Sequence, residues 1–319
     1  MPSIVIDKLL TEKMRPQRIE HMILPKRISD VLSKGLQTNL MLYSPVGGTG
    51  KSSIAGILCK GFETLKLNGS SENGIDIIRN KVETFASTVS LSNDISNVKV
   101  IWIDEADGLS IQAWDALREN IEHYADSVRF ICTCNKLEKI PGPIQSRFTV
   151  IPFYPINKDE EAYVFEGYCV RVKLILNKFN ITYTDTAVAS LVKAYFPDMR
   201  SVLNSIQNLQ LQGVSELTED TIKKTYDCSD LFELIVNGND PVSNYEFIAS
   251  NYAGKADDAM MSITRGFIDY IKDNHPNLIV KLPYFVIIIA DYMDQLTRSL
   301  DPDIVLMACV FKLQNLVKQ

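Results

Sequence analysis

The stretch that decides the fold is Leu40-Met41-Leu42-Tyr43-Ser44-Pro45-Val46-Gly47-Gly48-Thr49-Gly50-Lys51-Ser52-Ser53, continued by Ile54-Ala55-Gly56-Ile57-Leu58-Cys59-Lys60. The run from Leu36 that ends at Tyr43 reads as a strand, the glycines as a loop, and the residues from Ile54 as a helix. Gly50-Lys51-Ser52 between a strand and a helix is the working end of a phosphate-binding loop. There the backbone amides of Gly48, Thr49, Gly50, Lys51, Ser52 and Ser53 face an anion at a helix N-terminus. Lys51 reaches the β- and γ-phosphates and the Ser52 hydroxyl ligates Mg2+. The general pattern asks for glycine where this chain has Pro45, so a chance glycine-rich turn is the alternative for the loop taken alone.

Working outward, Val98 to Ile103 is a second buried-strand signal and ends at Asp104-Glu105. Val128 to Cys134 is a third and ends at Asn135. Open α/β sheets place their ligands at such strand ends. Asp104 after an apolar strand suits Mg2+, and Glu105 beside it suits polarisation of an attacking water, a solvated acidic turn being the bland alternative. Apolar strands alternating with helical stretches predict an α/β fold, a parallel sheet with helices on both faces. Beyond Pro152 and Pro155 only helical periods remain, as in Asp159 to Lys178 and Asp185 to Ala194, with no further strand expected before Cys228. Asp257 to Lys272, Leu282 to Ser299 and Asp303 to Val317 read as further helices. The chain thus divides into a nucleotide-binding domain at 1–153 and helical domains at 154–228 and 229–319.

Composition sets the class. The 319 residues are 46% hydrophobic and 23% charged, which excludes disorder, collagen and coiled coil. The net charge of -6 is unevenly spread: residues 1–228 hold 26 Lys and Arg against 27 Asp and Glu, and residues 229–319 hold 7 against 12. Lys13, Arg15, Arg18, Lys26 and Arg27 stand against Glu20 alone in residues 13–27, so a polyanion can be met by one face of an acidic protein. The six cysteines, Cys59, Cys132, Cys134, Cys169, Cys228 and Cys309, form no C-x-x-C pair and read as reduced core thiols. Apolar runs such as Phe285 to Ala290 are far short of a bilayer span, and Met1 to Leu10 lacks a secretory core; a cytoplasmic protein with no membrane partner is expected.

With both phosphate-site motifs placed, further segments resemble the sliding-clamp loader ATPases of the AAA+ superfamily. These are Asp104-Glu105-Ala106-Asp107, Ala116-Leu117-Arg118-Glu119-Asn120-Ile121-Glu122, Asn135 and Pro143-Ile144-Gln145-Ser146-Arg147-Phe148, with Lys13-Met14-Arg15-Pro16 and Phe196-Pro197-Asp198-Met199-Arg200-Ser201. The likeness covers about residues 10–210. Ile23-Leu24-Pro25, the Ser44-Pro45 approach to the loop and Phe196-Pro197-Asp198 look most like the large ATPase subunit of T-even-type bacteriophage clamp loaders, which would place the protein in a host cytoplasm.

That resemblance implies ATP and Mg2+ as cofactors, a helical lid at 154–228 and an oligomerising collar at 229–319. It gives Asn135 the role of sensor 1, Arg147 that of an arginine finger for a neighbouring subunit, and Arg200 that of sensor 2 on the lid. Thr11, Glu12, Lys13, Met14 and Ile23 would pack around the adenine. Ser71, Asn73, Arg79 and Lys81 match a segment that opens a helix facing DNA, with contacts to the backbone of primer-template DNA and not to its bases. Implied partners are the sliding clamp, further copies of the chain and a companion subunit. Trp114 stands where the family usually has Gln, and Phe148 where it has Cys. Two rival functions remain at this point: another AAA+ DNA motor, such as a branch-migration helicase or replication initiator, and a structural subunit that binds nucleotide without hydrolysis.

Overall fold

The computed structural model describes residues 9–88, 98–219, 229–238 and 240–318. Contacts divide the chain into two units, Met1–Thr218 and Glu219–Gln319. The boundary expected at 228/229, like Cys228, lies outside the described residues.

Five parallel strands form the centre of the first unit: β1 (Leu40–Tyr43), β2 (Thr64–Asn68), β3 (Lys99–Asp104), β4 (Val128–Cys134) and β5 (Thr149–Pro152), in the order β2-β3-β4-β1-β5. The chain leaves β1 through the glycine loop into α3 (Lys51–Leu58), so the loop lies at the carboxyl edge of the sheet, as do Asp104 and Asn135. Alternate residues of each strand feed different cores. Met41, Ile101, Ile103, Phe130 and Cys132 face α4 (Ile75–Ser87) and α5 (Ile111–His123), while Leu40, Leu42, Val100, Trp102 and Ile131 face α2 (Lys26–Leu32) and α3. The apolar runs are continuous because both faces are covered.

β2 and β5 carry no clear sequence signal. They are the two edges of the sheet, and most of their residues are only partly buried.

Besides the short helices α1 (Leu10–Lys13) and α6 (Gly142–Gln145), the first unit has a helical part comprising α7 (Lys158–Lys178), α8 (Asp185–Tyr195) and α9 (Met199–Leu211). Each start is capped by a side-chain acceptor: Asn157 for Glu160 N at 2.9 Å, Thr184 for Ala187 N at 3.2 Å, Asp198 for Ser201 N at 3.1 Å. The expectation of no further strands is corrected by a two-residue parallel pair, Thr182–Tyr183 with Glu216–Leu217. Such a ladder is too short to leave a periodic signal. This helical layer is tied to the sheet layer across residue 153: Arg27 donates to Glu160 Oε1 (3.0 Å), Pro152 O (2.8 Å) and Tyr154 O (2.6 Å). Arg27 is therefore a structural strut and not part of a polyanion face. Arg15 is paired with Glu12, which further thins the basic cluster at 13–27.

The second unit is helical among its described residues, around a core containing Phe232, Phe267, Phe285, Leu306, Val310 and Leu313. The helix expected over Asp257 to Lys272 is interrupted: Ala256–Ser262 passes through a π turn, Ile263–Phe267, into Ile268–Asn274. Gly266 in that turn lies where an added Cβ would meet the Phe232 ring at 3.2 Å, so an aromatic side chain sets the local packing. The expectation from run lengths about membrane-length segments is also corrected. Pro276–Leu296 is 21 residues with mean hydropathy 1.3, long and apolar enough by composition to cross a bilayer. Lys281, Asp291 and Asp294 break it into short runs, which hides it from a count of consecutive apolar residues. Its first six residues are a 3-10 turn, and Lys281 Nζ donates to Leu316 O (3.1 Å) and Val317 O (3.2 Å) of the last helix, Pro302–Lys318.

Candidate functional site

Gly48 (φ 67°) and Gly50 (φ 99°) hold the loop in left-handed backbone, a conformation that glycine adopts without a Cβ clash. Gly48 is also a point of close approach: a Cβ there would fall 1.5 Å from Asp198 Oδ1, so the helical layer touches the loop directly. Lys51 opens α3 and its Nζ is turned back under the loop, donating to Asn135 Oδ1 (2.7 Å), Val46 O (3.1 Å) and Ser44 O (3.4 Å). Burial lowers the Lys51 pKa, while nearby Asp107 and Asp104 oppose that shift.

Ser52 Oγ donates to Asp104 Oδ1 at 2.8 Å, and Thr133 Oγ1 donates to the same oxygen at 2.6 Å. Thr133 Oγ1 also accepts from Glu105 N at 3.0 Å, which fixes the backbone of Glu105 in the left-handed region at φ 55°. Asp104 Oδ2 lies 3.6 Å from Lys66 Nζ, which sits 3.9 Å from the Trp102 ring centroid. A hydroxyl and a carboxylate side by side are the hard oxygen donors that Mg2+ takes when phosphates complete its shell. Among the described residues no three His, Cys, Asp or Glu side chains could hold a metal by themselves. Thr49 Oγ1 is buried in the loop without a hydrogen-bond partner among the described residues, a polar atom that fits a ligand oxygen.

These groups border a cleft of about 270 Å³. Of the residues picked out by sequence, Thr11, Glu12, Met14, Ile23, Gly48, Thr49, Gly50, Lys51, Ser52, Ser53, Glu105, Asn135 and Arg200 line it. Lys13 does not line it, since it follows Thr11 and Glu12 around the short helix Leu10–Lys13 to an exposed position. Asp104 stands behind Ser52. Arg147, after the short helix Gly142–Gln145, is away from its own chain's cleft: it pairs with Glu122, Nε to Oε1 at 2.8 Å, and donates to Pro143 O. That pairing holds the Glu122 carboxyl below its usual pKa.

Sequence reasoning missed Met22, Thr133, Tyr168, Arg171, Met199 and Leu203, all of which line the cleft. A signal for two of them exists in α7, where Val164, Tyr168, Val172 and Ile175 form the buried stripe and Arg171 flanks it. Trp114, on α5, is buried in the core and its Nε1 has no acceptor among the described residues, so this side chain provides no hydrogen-bonded link at the position where the resemblance implies Gln. Phe148 is buried in the same core. Cys134 lines the cleft but burial pushes its thiol up to about 12; it is free, as are Cys59, Cys132, Cys169 and Cys309.

Within the segment assigned to DNA the helix opens at Ile75, with Gly74 as its cap. The amides of Ser70 and Ser71 are not free: both donate to Asn68 Oδ1, at 2.9 and 3.1 Å. Arg79 is paired with Glu83 and Lys81 with Glu72, each at 3.1 Å, while Asn73 is exposed.

The ATPase family associated with various cellular activities (AAA) matches residues 40–156, from β1 past β5. The chain is 34% identical over 226 residues to the replication factor C small subunit of Sulfolobus acidocaldarius, covering 68% of this chain and 66% of that one. It therefore spans just under two thirds of that relative. It is 30% identical over 290 residues to the replication factor C small subunit of Methanoculleus marisnigri, covering 88% of this chain and 83% of that one. Among solved structures, the Thermotoga maritima RuvB Holliday junction branch migration motor matches with TM-score 0.51 at 14% identity, over 82% of this chain and 91% of that one, a likeness of fold. The loop, the Asp104-Glu105 strand end and the extended identity lead to one assignment: the chain belongs to the replication factor C small-subunit family, within the AAA ATPases.

Proposed function

We propose that this chain is an ATPase motor subunit of a sliding-clamp loader. ATP binding orders a spiral of subunits that opens the ring-shaped polymerase clamp and accepts a primer-template junction, and hydrolysis releases the clamp around the duplex during DNA replication. The observation that carries this is the linked group at the sheet edge, Lys51 with Asn135, and Ser52 with Asp104 and Thr133, in a member of a family of replication factors.

In this reading the cleft takes ATP. The amides of Gly48 to Ser53 and the Lys51 ammonium meet the phosphates, and Arg200 reaches them from the helical layer. Ser52 and Asp104 hold Mg2+, which supplies charge neutralisation at the transferring phosphoryl group. Glu105 orients and activates the water, with Asn135 placing it. Thr11, Glu12, Met14 and Ile23 border the base, and Lys13 supports them from outside. Arg147 serves a neighbouring subunit; its position outside its own cleft supports that role. Ser71, Asn73, Arg79 and Lys81 face the DNA backbone, with Arg79 and Lys81 exchanging their carboxylate partners for phosphates.

Residues 154–228 act as a lid and residues 229–319 as a collar. Val280, Tyr284 and Ile287 are exposed at helical spacing opposite the buried Phe285 and Ile289, an apolar face suited to subunit contact. Acidic Asp291 and Asp294 and the tie from Lys281 to the last helix favour a protein partner over lipid for Pro276–Leu296. The partners are the clamp, DNA, copies of this chain and a companion subunit, in the compartment where DNA is replicated, without a membrane role. Ser44-Pro45, Ile23-Leu24-Pro25 and Phe196-Pro197-Asp198 favour the T-even bacteriophage type of large subunit, acting in the host cytoplasm.

The test is capture of a sliding clamp by the purified chain with its companion subunit. Capture with a slowly hydrolysed ATP analogue and release with ADP are expected. Capture indifferent to nucleotide, or none with either, contradicts the proposal.

A further inference from the structure

The chain that borders the base end of the cleft has little hydrogen bonding of its own. Between Met14 and Ile23 it contains Pro16, no strand and only the 3-10 turn Ile19–His21. Two of its carbonyls, seven residues apart in sequence, converge on one guanidinium: Arg171 Nη2 donates to Met14 O at 2.7 Å and Nη1 to His21 O at 2.6 Å. Arg171 projects from α7 one turn after Gly167, and at Gly167 the helix touches the same segment. A Cβ there would lie 2.5 Å from Ile23 Cγ2. Ile23 is branched at Cβ, so this methyl can retreat only by a rotamer change or a shift of backbone. Met14 and Ile23 line the cleft, and so does Arg171 itself.

We propose that Arg171 is a positioning residue that gives the cleft its preference for adenine, by pinning the Met14–Ile23 segment against α7 so that its backbone presents a fixed edge to the base. The inference rests on the reading of the cleft as an ATP site. Hydrogen bonds can distinguish two purines only if the donors and acceptors that read them are held in place. A planar guanidinium is suited to hold two carbonyls at once, because its N–H groups diverge in a fixed fork; an ammonium keeps the charge and loses the fork. Gly167 contributes by letting the helix close onto Ile23. The phosphate end is built separately, from the Gly48–Ser53 loop and α3, and does not depend on this pin.

The experiment uses the full chain and compares binding of ATP, GTP and inorganic tripolyphosphate, each with Mg2+, for wild type, Arg171→Ala, Arg171→Lys and Gly167→Ala, with thermal unfolding of the ligand-free proteins. Tripolyphosphate reports the phosphate end alone. All three variants are expected to lose ATP affinity on the order of tenfold, the scale of one charge-assisted contact. The ATP-to-GTP ratio falls towards one, and tripolyphosphate affinity stays at the wild-type value. Gly167→Ala, with the charge intact, separates positioning from electrostatics. Equal losses for ATP and tripolyphosphate would overturn the proposal, as would an unchanged ATP-to-GTP ratio or wild-type behaviour of Arg171→Lys. Wild type binding neither ATP nor tripolyphosphate would instead remove the nucleotide reading beneath it.

Discussion

The phosphate cleft and the segment at residues 68–81, a turn that leads into α4, sit at the same edge of the sheet, with Asn68 and Asp104 in register on neighbouring strands, but they are built on opposite principles. In the cleft, groups of one chain lean on each other and leave room for a ligand: among the described residues Thr49 Oγ1 has no partner, and Ser52 and Asp104 stand together. In the turn, Asn68 Oδ1 satisfies the amides of Ser70 and Ser71, and Glu83 and Glu72 pair the two cations. A site fixed by strand ends has its chemistry set by the fold. A site made of exposed side chains has only the small energies of surface pairs, which a phosphate can displace.

That contrast predicts a steep ranking of effects. Lys51→Ala should abolish nucleotide binding, and a fluorescent ATP analogue bound as tightly as by wild type would break the cleft half of the comparison. Arg147→Ala should leave ATP binding intact and cut turnover by roughly 10³–10⁵. Mixing it with a Lys51→Ala chain should restore turnover where a sound cleft meets a sound Arg147, and failure of that mixture would move Arg147 out of the intersubunit site. Glu105→Gln should bind ATP and lower turnover by about 10²–10⁴, read in steady-state assays. Gly48→Ala, which drives a Cβ into Asp198, should weaken ATP binding less than Lys51→Ala does. At the shallow end, Arg79→Ala and Lys81→Ala should each reduce the salt dependence of DNA affinity by about one in log-log slope. A change in sequence preference from either would contradict backbone contact.

The same contrast explains what the sequence disclosed. The central strands β1, β3 and β4 were legible because burial on both faces leaves continuous apolar runs that stop at Ser44, Asp104-Glu105 and Asn135. The edge strands β2 and β5 were not, since partial burial erases the pattern. Motif residues whose spacing follows the chain, such as Lys51, Ser52 and Asp104, were found. Thr133, Tyr168 and Arg171 act through contacts distant in sequence and announce themselves only as polar groups on buried elements. Arg27 read as surface charge and proved to be a strut, because nothing local to residues 13–27 reveals Glu160, Pro152 and Tyr154. The match to a branch-migration motor at 14% identity is a likeness of fold alone, whereas the sequence relatives supply the family.

A cleft that hydrolyses ATP in response to clamp and DNA together, as proposed, reports both partners in its turnover. Steady-state ATPase of the chain with its companion subunit should be measured alone, with primer-template DNA, and with DNA plus a sliding clamp, at one low salt concentration. Clamp and junction DNA together should stimulate turnover by more than the product of their separate effects. Turnover raised by DNA but indifferent to the clamp, or absent under every condition, would contradict the proposal.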